Sequence, residues 1–267
     1  MDLIMGKLKN YNILLLFCLL IPFKGLAQQK NNFKVFDAIL FLNKPNLSKF
    51  GFSEINVIYE DGIISTNYHE KDVKAFNRRF VDKSKIQNKS KLSRNNRIPV
   101  CIDVEHWNVQ DPKTKNLAVN KYVEILDNYR KIDSKNLVSV FHYGSISKDI
   151  YNSSNVVFPA YYSHSSNYSE WESMVRNSVN AIRKMGDKPI YAFIWPQYNN
   201  VPSKHNLGFT FVDNVTWRKQ LELIYKLCDG AVIWTHYNDK DGNKIHFDKN
   251  MPWFKETLKF IKEKNIK

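Results

Sequence analysis

Short apolar segments alternate with longer amphipathic segments along most of the chain. The apolar segments are five to eight residues long and rich in β-branched and aromatic residues, which is typical of strands. They cover residues 36–42, 55–59, 98–105, 137–143, 156–162, 189–195 and 231–235. The amphipathic segments carry apolar residues three or four positions apart. They predict helices over residues 117–132, 171–185, 215–227 and 253–264.

This order of elements predicts the fold class. Strands that are apolar almost throughout are buried on both faces, and helices between them indicate a parallel sheet covered by helices. We therefore predict an α/β protein with a single TIM-like (β/α) barrel of about seven to eight parallel strands, distorted forms included. A doubly wound sheet is disfavoured, because no glycine-rich phosphate loop follows the first strand. Residues 72–95 are polar and basic and predict a surface loop or helix.

The amino-terminal residues have the three-part pattern of a secretory signal peptide. Lys7 and Lys9 precede an unbroken apolar run over residues 13–21, and small residues follow at Gly25 and Ala27. The run is short for a membrane-spanning helix. We predict a signal peptide over residues 1–27, cleavage after Ala27 and a secreted or periplasmic protein, with a retained anchor as the alternative. Residues 28–267 then form the catalytic barrel domain, with no stable membrane insertion.

Composition and charge narrow the class of partner. The formal net charge is +14, and loss of residues 1–27 removes three lysines and one aspartate and leaves +12. A basic protein attracts acidic partners, and for an exported protein an anionic polysaccharide is favoured over nucleic acid. The mature chain keeps only Cys101 and Cys228, both in apolar surroundings, which favours buried free thiols over a disulfide scaffold.

Two acidic residues close the third predicted strand. In (β/α) barrels the active site lies at the carboxyl ends of the strands. Asp103 and Glu105 are two positions apart and therefore face the same side of a strand. Neighbouring acids shift their pKa values apart, so that one holds a proton near neutral pH and can act as a general acid. We predict that Asp103 and Glu105 are the catalytic pair of a glycosidase; a structural pair bound to Lys or Arg is the alternative.

Aromatic, imidazole and amide side chains follow the other strands. Tryptophan and tyrosine rings offer rigid surfaces for the flat C–H faces of sugars. The residues predicted to bind substrate are Asn43, Trp107, His142, Tyr161, Tyr162, Trp195, Tyr198, Trp234 and His236. His106, His142 and His236 raise the alternative of a zinc site with Asp103, but a compact ligand spacing is missing. We therefore predict no metal and no other cofactor.

With these residues in place, the chain resembles the hyaluronidases of animals and venoms over most of residues 36–236. Asp103-Val104-Glu105-His106-Trp107 is similar to the Asp-Trp-Glu-x-Trp signature of that family, and Phe158-Pro159-Ala160-Tyr161-Tyr162 is similar to its Pro-containing strand. Leu42-Asn43-Lys44-Pro45 followed by Phe50-Gly51 matches its first strand and loop, and Pro189 to Tyr198 and Gly230 to Trp234 match later strands. The chain departs from the pattern at Val104 and Asn108, where the family has Trp and Arg, and it lacks the family's disulfide cysteines.

The resemblance implies a hydrolase of hyaluronan- or chondroitin-like polysaccharides that contain N-acetylhexosamine. It implies that Glu105 is the general acid and that Asp103 orients the substrate's acetamido group, whose carbonyl oxygen is the nucleophile. It further implies that Tyr162 and Trp234 shape the subsite for that sugar. A non-catalytic glycan-binding barrel of the cell envelope is the second hypothesis, and a metal-dependent deacetylase is the third.

Overall fold

A computed structural model describes residues 32–66, 79–94, 96–199 and 207–267. The predicted signal peptide lies outside the described residues. The strands are β1 (Lys34–Ala38), β2 (Phe52–Glu54), β3 (Asn56–Tyr59), β4 (Ile64–Thr66), β5 (Arg79–Val81), β6 (Val100–Asp103), β7 (Val138–His142), β8 (Phe158–Pro159), β9 (Tyr191–Ile194) and β10 (Gly230–Trp234). The α-helices are α1 (Lys83–Ser93), α2 (Lys115–Arg130), α3 (Lys148–Ser153), α4 (Tyr168–Arg183), α5 (Asn214–Leu227) and α6 (Pro252–Glu263).

Two four-stranded parallel sheets close into one barrel. Their strand orders are β2-β1-β10-β9 and β3-β6-β7-β8. One junction is covalent, because β2 and β3 are separated only by Ile55. At the other junction, Val157 and Ala160 beside β8 form parallel bridges with Ile190 and Phe193 beside or within β9. With β2 and β3 counted as one bent strand, the described residues form a barrel of seven parallel strands, which confirms the predicted fold.

The two faces of each barrel strand have different neighbours. One set of side chains fills the interior and includes Phe36, Cys101, Phe158, Phe193 and Val232. The alternate side chains pack outwards in the larger cluster that also contains the apolar faces of the helices. Because both faces are buried, the strands are apolar almost throughout, which is why their sequence pattern indicated a parallel sheet.

The helices form an outer layer and begin at the end of the barrel where the strands finish. Neighbouring helices contact each other in the pairs α1–α2, α2–α3, α4–α5 and α5–α6. Side-chain caps set four of the described helix starts: Asp82, Ser147, Asn167 and Asp213 accept hydrogen bonds from backbone amides at the beginnings of α1, α3, α4 and α5. Such caps satisfy amide groups that have no partner inside the helix.

The structure departs from the predicted elements at the first strand, and it adds a strand pair and a short helix. The first strand was expected over residues 36–42 but leaves the sheet after Ala38, because Leu40 donates to the Thr235 hydroxyl and Leu42 pairs with the segment around His246. The polar stretch 72–95 forms helix α1 in its second half, while residues 67–78 lie outside the described residues. The antiparallel pair β4–β5 and the short helix α3 were not predicted. In the part of the chain described, no helix is both long and apolar enough to cross a membrane.

Candidate active site

The acid pair lies at the mouth of the barrel. Asp103 is the last residue of β6 and is paired in register with Tyr59 of β3. Val104 is buried in the outer core, so Asp103 and Glu105 lie on the opposite side of the segment, above the barrel interior. Asp103 is half-buried and Glu105 is exposed. Within the described ranges, no lysine or arginine forms an ion pair with either carboxylate.

The two acids have different environments. Burial, followed by the charges of Glu105 and Glu60, raises the pKa of Asp103 to about 7. Its Oδ1 atom is buried and has no hydrogen-bond partner among the residues described. Burial and nearby negative charge both disfavour the ionised form of a carboxylic acid. The pair can therefore hold one proton near neutral pH, and the buried member, Asp103, is where that proton resides.

Glu60 is a third acid at the mouth that the sequence analysis missed. It follows β3 directly, forms an ion pair with Arg79 at 3.0 Å and contacts the ring of His106. His106 comes immediately after Glu105, so this contact connects the end of β3 to the segment that carries the acid pair. The available signal was an acidic residue directly after the predicted strand at 55–59, the same feature that identified Asp103.

Aromatic side chains surround the acids. Tyr162 stacks on Trp234 with ring centroids 5.6 Å apart and meets Trp195 edge-on at 5.3 Å. Tyr143 meets Tyr162 edge-on at 5.9 Å, and Trp234 donates a hydrogen bond to the hydroxyl of Tyr59. Burial, with added charge from Asp103 and Glu105, raises the pKa of Tyr59 and of Tyr143. These shifts place both tyrosines close to the acids, and Tyr59 and Tyr143 were not among the predicted site residues.

The predicted binding residues fall into two groups. Tyr162, Trp195 and Trp234 face the barrel interior, and the ring of His236 stacks between Phe209 and Tyr237 at 4.5 Å from each. Alternation along each strand directs the second group away from the mouth. Trp107, Tyr161 and Tyr198 are buried in the outer core, as is the ring of His142, and Asn43 contacts His246 in an exposed loop.

Two contacts and one pKa shift show the environment of the outward-facing residues. Tyr161 donates to Ser178 at 3.0 Å and so fastens α4 to the barrel, while Trp107 packs edge-on against Tyr122 of α2. Burial lowers the pKa of His142 to about 4, and the backbone of Gly144 offsets that shift only in part. Both ring nitrogens of His142 are inaccessible to solvent. These side chains therefore support the rim from behind.

The histidines of the zinc alternative have separate environments. His106 contacts Glu60, His142 is buried outside the barrel, and His236 is enclosed by aromatic rings. The described residues contain no group of three or more His, Cys, Asp or Glu side chains arranged to hold a metal ion. Cys101 lies inside the barrel and Cys228 in the outer core, and both side chains are buried.

Comparison with known proteins links the chain to one fold. A structure of bee venom hyaluronidase matches with a TM-score of 0.56 at 12% identity, over 87% of this chain and 97% of that chain. The complex of that enzyme with a hyaluronic acid tetramer matches with a TM-score of 0.54 at 12% identity, over 87% and 96% of the two chains. The sequence matches no protein-family model and no curated protein. The predicted resemblance to hyaluronidases is thus confirmed as a remote one, at the level of the fold.

Proposed function

We propose that this chain is a glycoside hydrolase that cleaves a polysaccharide containing N-acetylhexosamine. The observation that carries the proposal is the pairing of Asp103, whose pKa is raised to about 7, with the exposed Glu105 at the mouth of a parallel barrel. Hydrolysis of a glycosidic bond needs a group that holds a proton near neutral pH and delivers it to the leaving oxygen. Tyr162 and Trp234 supply the aromatic surface on which a sugar ring can rest.

The proposed mechanism uses one proton shared by the pair. A sugar that covers the mouth excludes water from the pair, and the proton held by Asp103 passes to Glu105. Glu105 then donates the proton to the glycosidic oxygen as the bond from that oxygen to the anomeric carbon breaks. The ionised Asp103 accepts a hydrogen bond from the acetamido N–H of the substrate. The acetamido oxygen bonds to the anomeric carbon, and water, deprotonated by Glu105, later opens the resulting ring.

Two observations bear on the charge of the substrate, one at long range and one close to the acid pair. The net charge of +14 favours an anionic chain such as hyaluronan or chondroitin at long range, and bee venom hyaluronidase has been solved with a hyaluronic acid tetramer. Near the acid pair, the charges that shift the pKa of Asp103 are those of Glu105 and Glu60. We therefore propose that the uncharged N-acetylhexosamine ring occupies the mouth.

We also propose that the protein works outside the cytoplasm, in the periplasm or the medium. The support is the signal-peptide pattern of residues 1–27. Polymeric glycans of this class are met outside the cell, which fits an exported hydrolase. Amino-terminal sequencing of the protein recovered from outside the cytoplasm tests this, and a first residue of Gln28 is expected. An intact amino terminus on a membrane-bound protein would favour the retained anchor.

The function is tested by release of reducing ends. Purified residues 28–267 are incubated with hyaluronan, chondroitin and N-acetylglucosamine oligosaccharides, beside the variants Glu105→Gln and Glu54→Gln. Glu105→Gln keeps the shape of the side chain but cannot donate the proton, so a loss of about 10² to 10⁴ in rate is expected. Glu54 is exposed on β2, two positions from Phe52, whose side chain packs in the outer core, so its variant controls for loss of a surface carboxylate. Equal rates for wild type and Glu105→Gln would contradict the proposed mechanism.

A glycan-binding barrel without catalysis is the second candidate. The observation that favours it is the exposure of Glu105 in the unliganded protein, because a general acid is usually held in a less polar place. If the chain only binds glycans, neither the wild type nor Glu105→Gln releases reducing ends, and both proteins are slowed by the same polymer in an affinity gel. Release by the wild type alone supports the hydrolase.

A further inference from the structure

A pocket opens beside Glu105, between the loops that follow β6 and β7. Its volume is about 270 Å³. Its lining is mostly apolar and aromatic and includes Val104, Trp107, Phe141, His142 and Ile146. The polar part of the lining consists of Glu105 and uncharged side chains, which are Asn108, Gln110, Tyr143, Ser145 and Ser147. Water occupies about 30 Å³ per molecule in the liquid, so the pocket has room for about nine waters and hence for one sugar ring, not for several.

Glu105 lies between this pocket and the barrel mouth. On the mouth side, its charge contributes to the raised pKa of Asp103 and of Tyr162. On the other side, Glu105 itself forms part of the pocket lining. Because a general acid must reach the oxygen that joins two sugars, the two rings of the scissile linkage lie on either side of it. If one ring occupies the mouth, the next ring along the chain reaches the pocket.

The lining favours a ring without charge. Among the described residues that line the pocket, only Glu105 carries a charge near neutral pH, since His142 and the tyrosines are neutral there and none of these lining residues is a lysine or arginine. A uronate carboxylate would have to leave water next to Glu105 without a cationic partner, which is costly. Hydroxyl groups, in contrast, match the amide of Gln110, which already donates to the carbonyl oxygens of Tyr143 and Ser145 at 3.5 and 3.4 Å and holds the two loops together.

We propose that this pocket is the subsite for the leaving-group sugar and that it takes an uncharged hexose or N-acetylhexosamine ring. The inference rests on the proposed function and sharpens it. Where the mouth holds N-acetylhexosamine, an alternating uronate polymer such as hyaluronan would put a carboxylate in the pocket. The preferred substrate is therefore a polymer of uncharged sugars at the cleavage point.

The test fills the pocket and then changes its charge. Ser145 is exposed at the rim, so Ser145→Trp should fold and fill the space, while Asn116→Trp puts the same ring on an exposed position of α2. For hydrolysis of an N-acetylglucosamine hexasaccharide, kcat/KM should fall about tenfold or more in Ser145→Trp and stay unchanged in Asn116→Trp. A milder loss is expected for Gln110→Ala. Ser145→Lys adds a cation, and should raise the rate on hyaluronan relative to the hexasaccharide.

A binding measurement distinguishes failure of the pocket assignment from failure of the hydrolase proposal. Calorimetry in the Glu105→Gln background should show about tenfold weaker binding of the hexasaccharide when Ser145→Trp is added. If the wild type hydrolyses nothing but this loss is seen, the pocket assignment holds and the hydrolase proposal fails. If the wild type is active and Ser145→Trp leaves both hydrolysis and binding unchanged, the pocket assignment is overturned. If the wild type prefers hyaluronan and Ser145→Lys brings no gain on it, the assignment of an uncharged ring to the pocket is overturned.

Discussion

At the scale of single residues, the role proposed for Asp103 comes with a cost in stability. The same burial that raises the pKa of Asp103 to about 7 makes the ionised form unfavourable in the folded protein. In the unfolded chain this carboxyl group ionises near pH 4. At any pH above that, ionisation stabilises the unfolded state more than the folded state, so the free energy of unfolding is lowered. Stability from this group is full below pH 4, falls as pH rises towards 7, and is level above that.

Replacement of Asp103 by asparagine should therefore stabilise the protein at high pH. At pH 8 we expect a gain of about 1 to 4 kcal/mol in the free energy of unfolding, because one pKa unit corresponds to about 1.4 kcal/mol. At pH 3.5 the gain should nearly disappear. Urea unfolding at the two pH values measures the difference, and Glu105→Gln is the matched control, since an exposed acid should change stability by less than about 0.5 kcal/mol. A pH-independent effect of Asp103→Asn would show that the carboxylate is not the cause.

The residues of the site were predictable where position along a strand decides them. Asp103 and Glu105 follow from their place at a strand end and their spacing of two. The sequence could not show that Tyr162 faces the barrel interior and Tyr161 the outer core. Both faces of the strand are buried and apolar, so the pattern does not reveal which face points inwards. The contact of Glu60 with His106 joins residues 46 positions apart, which only the closed barrel brings together.

At the scale of elements, helix α5 packs against β10, the strand that carries Trp234. It lies between β9 and β10 in the chain, and its first turn is capped by Asp213, which accepts from the amides of Val215 at 3.0 Å and Thr216 at 2.9 Å. Burial opposes the ionised form, but these hydrogen bonds lower the pKa of Asp213. The cap therefore contributes stability above the ordinary pKa of aspartate, and the contribution is lost as pH falls below it.

Removal of this cap gives a prediction about the helix. Asp213→Ala should lower the free energy of unfolding at pH 7 by about 0.5 to 2 kcal/mol, because two amides lose their acceptor. Asp213→Asn keeps an acceptor oxygen and should change it by less than about 0.5 kcal/mol. Thermal unfolding of the three proteins at pH 7 and pH 3 checks both values, and the gap between wild type and alanine variant should narrow at the lower pH. Equal stability at pH 7 would mean that the cap contributes nothing.

The elements that the sequence predicted well have a strong local pattern. The four predicted helices appear within three residues of their expected starts, as α2, α4, α5 and α6. What the pattern missed depends on contacts distant in sequence. The first strand ends early because Thr235, 195 positions from Leu40, binds its backbone, and the pairing of β4 with β5 joins short segments with no clear period.

At the scale of the whole molecule, the charge is distributed unevenly. The chain carries 40 basic and 26 acidic residues, yet the acids Glu60, Asp103 and Glu105 gather at the mouth. A basic exterior attracts a polyanion at a distance, whereas the mouth and the neighbouring pocket favour uncharged rings. Attraction of a glycan and its cleavage can thus respond differently to the same change of solvent.

Salt separates these two contributions. The Debye length falls from about 10 Å at 0.1 M to about 3 Å at 1 M, so attraction between the basic exterior and a polyanion is screened while short contacts in the site persist. In an affinity gel, retardation of Glu105→Gln by hyaluronan should weaken strongly between these two concentrations. The kcat/KM of the wild type for an N-acetylglucosamine hexasaccharide should change by less than about twofold, since that ligand carries no charge. If hydrolysis of the neutral oligosaccharide declined with salt as steeply as hyaluronan binding, the mouth would itself depend on the basic exterior, and the separation of a charged exterior from an uncharged site would be wrong.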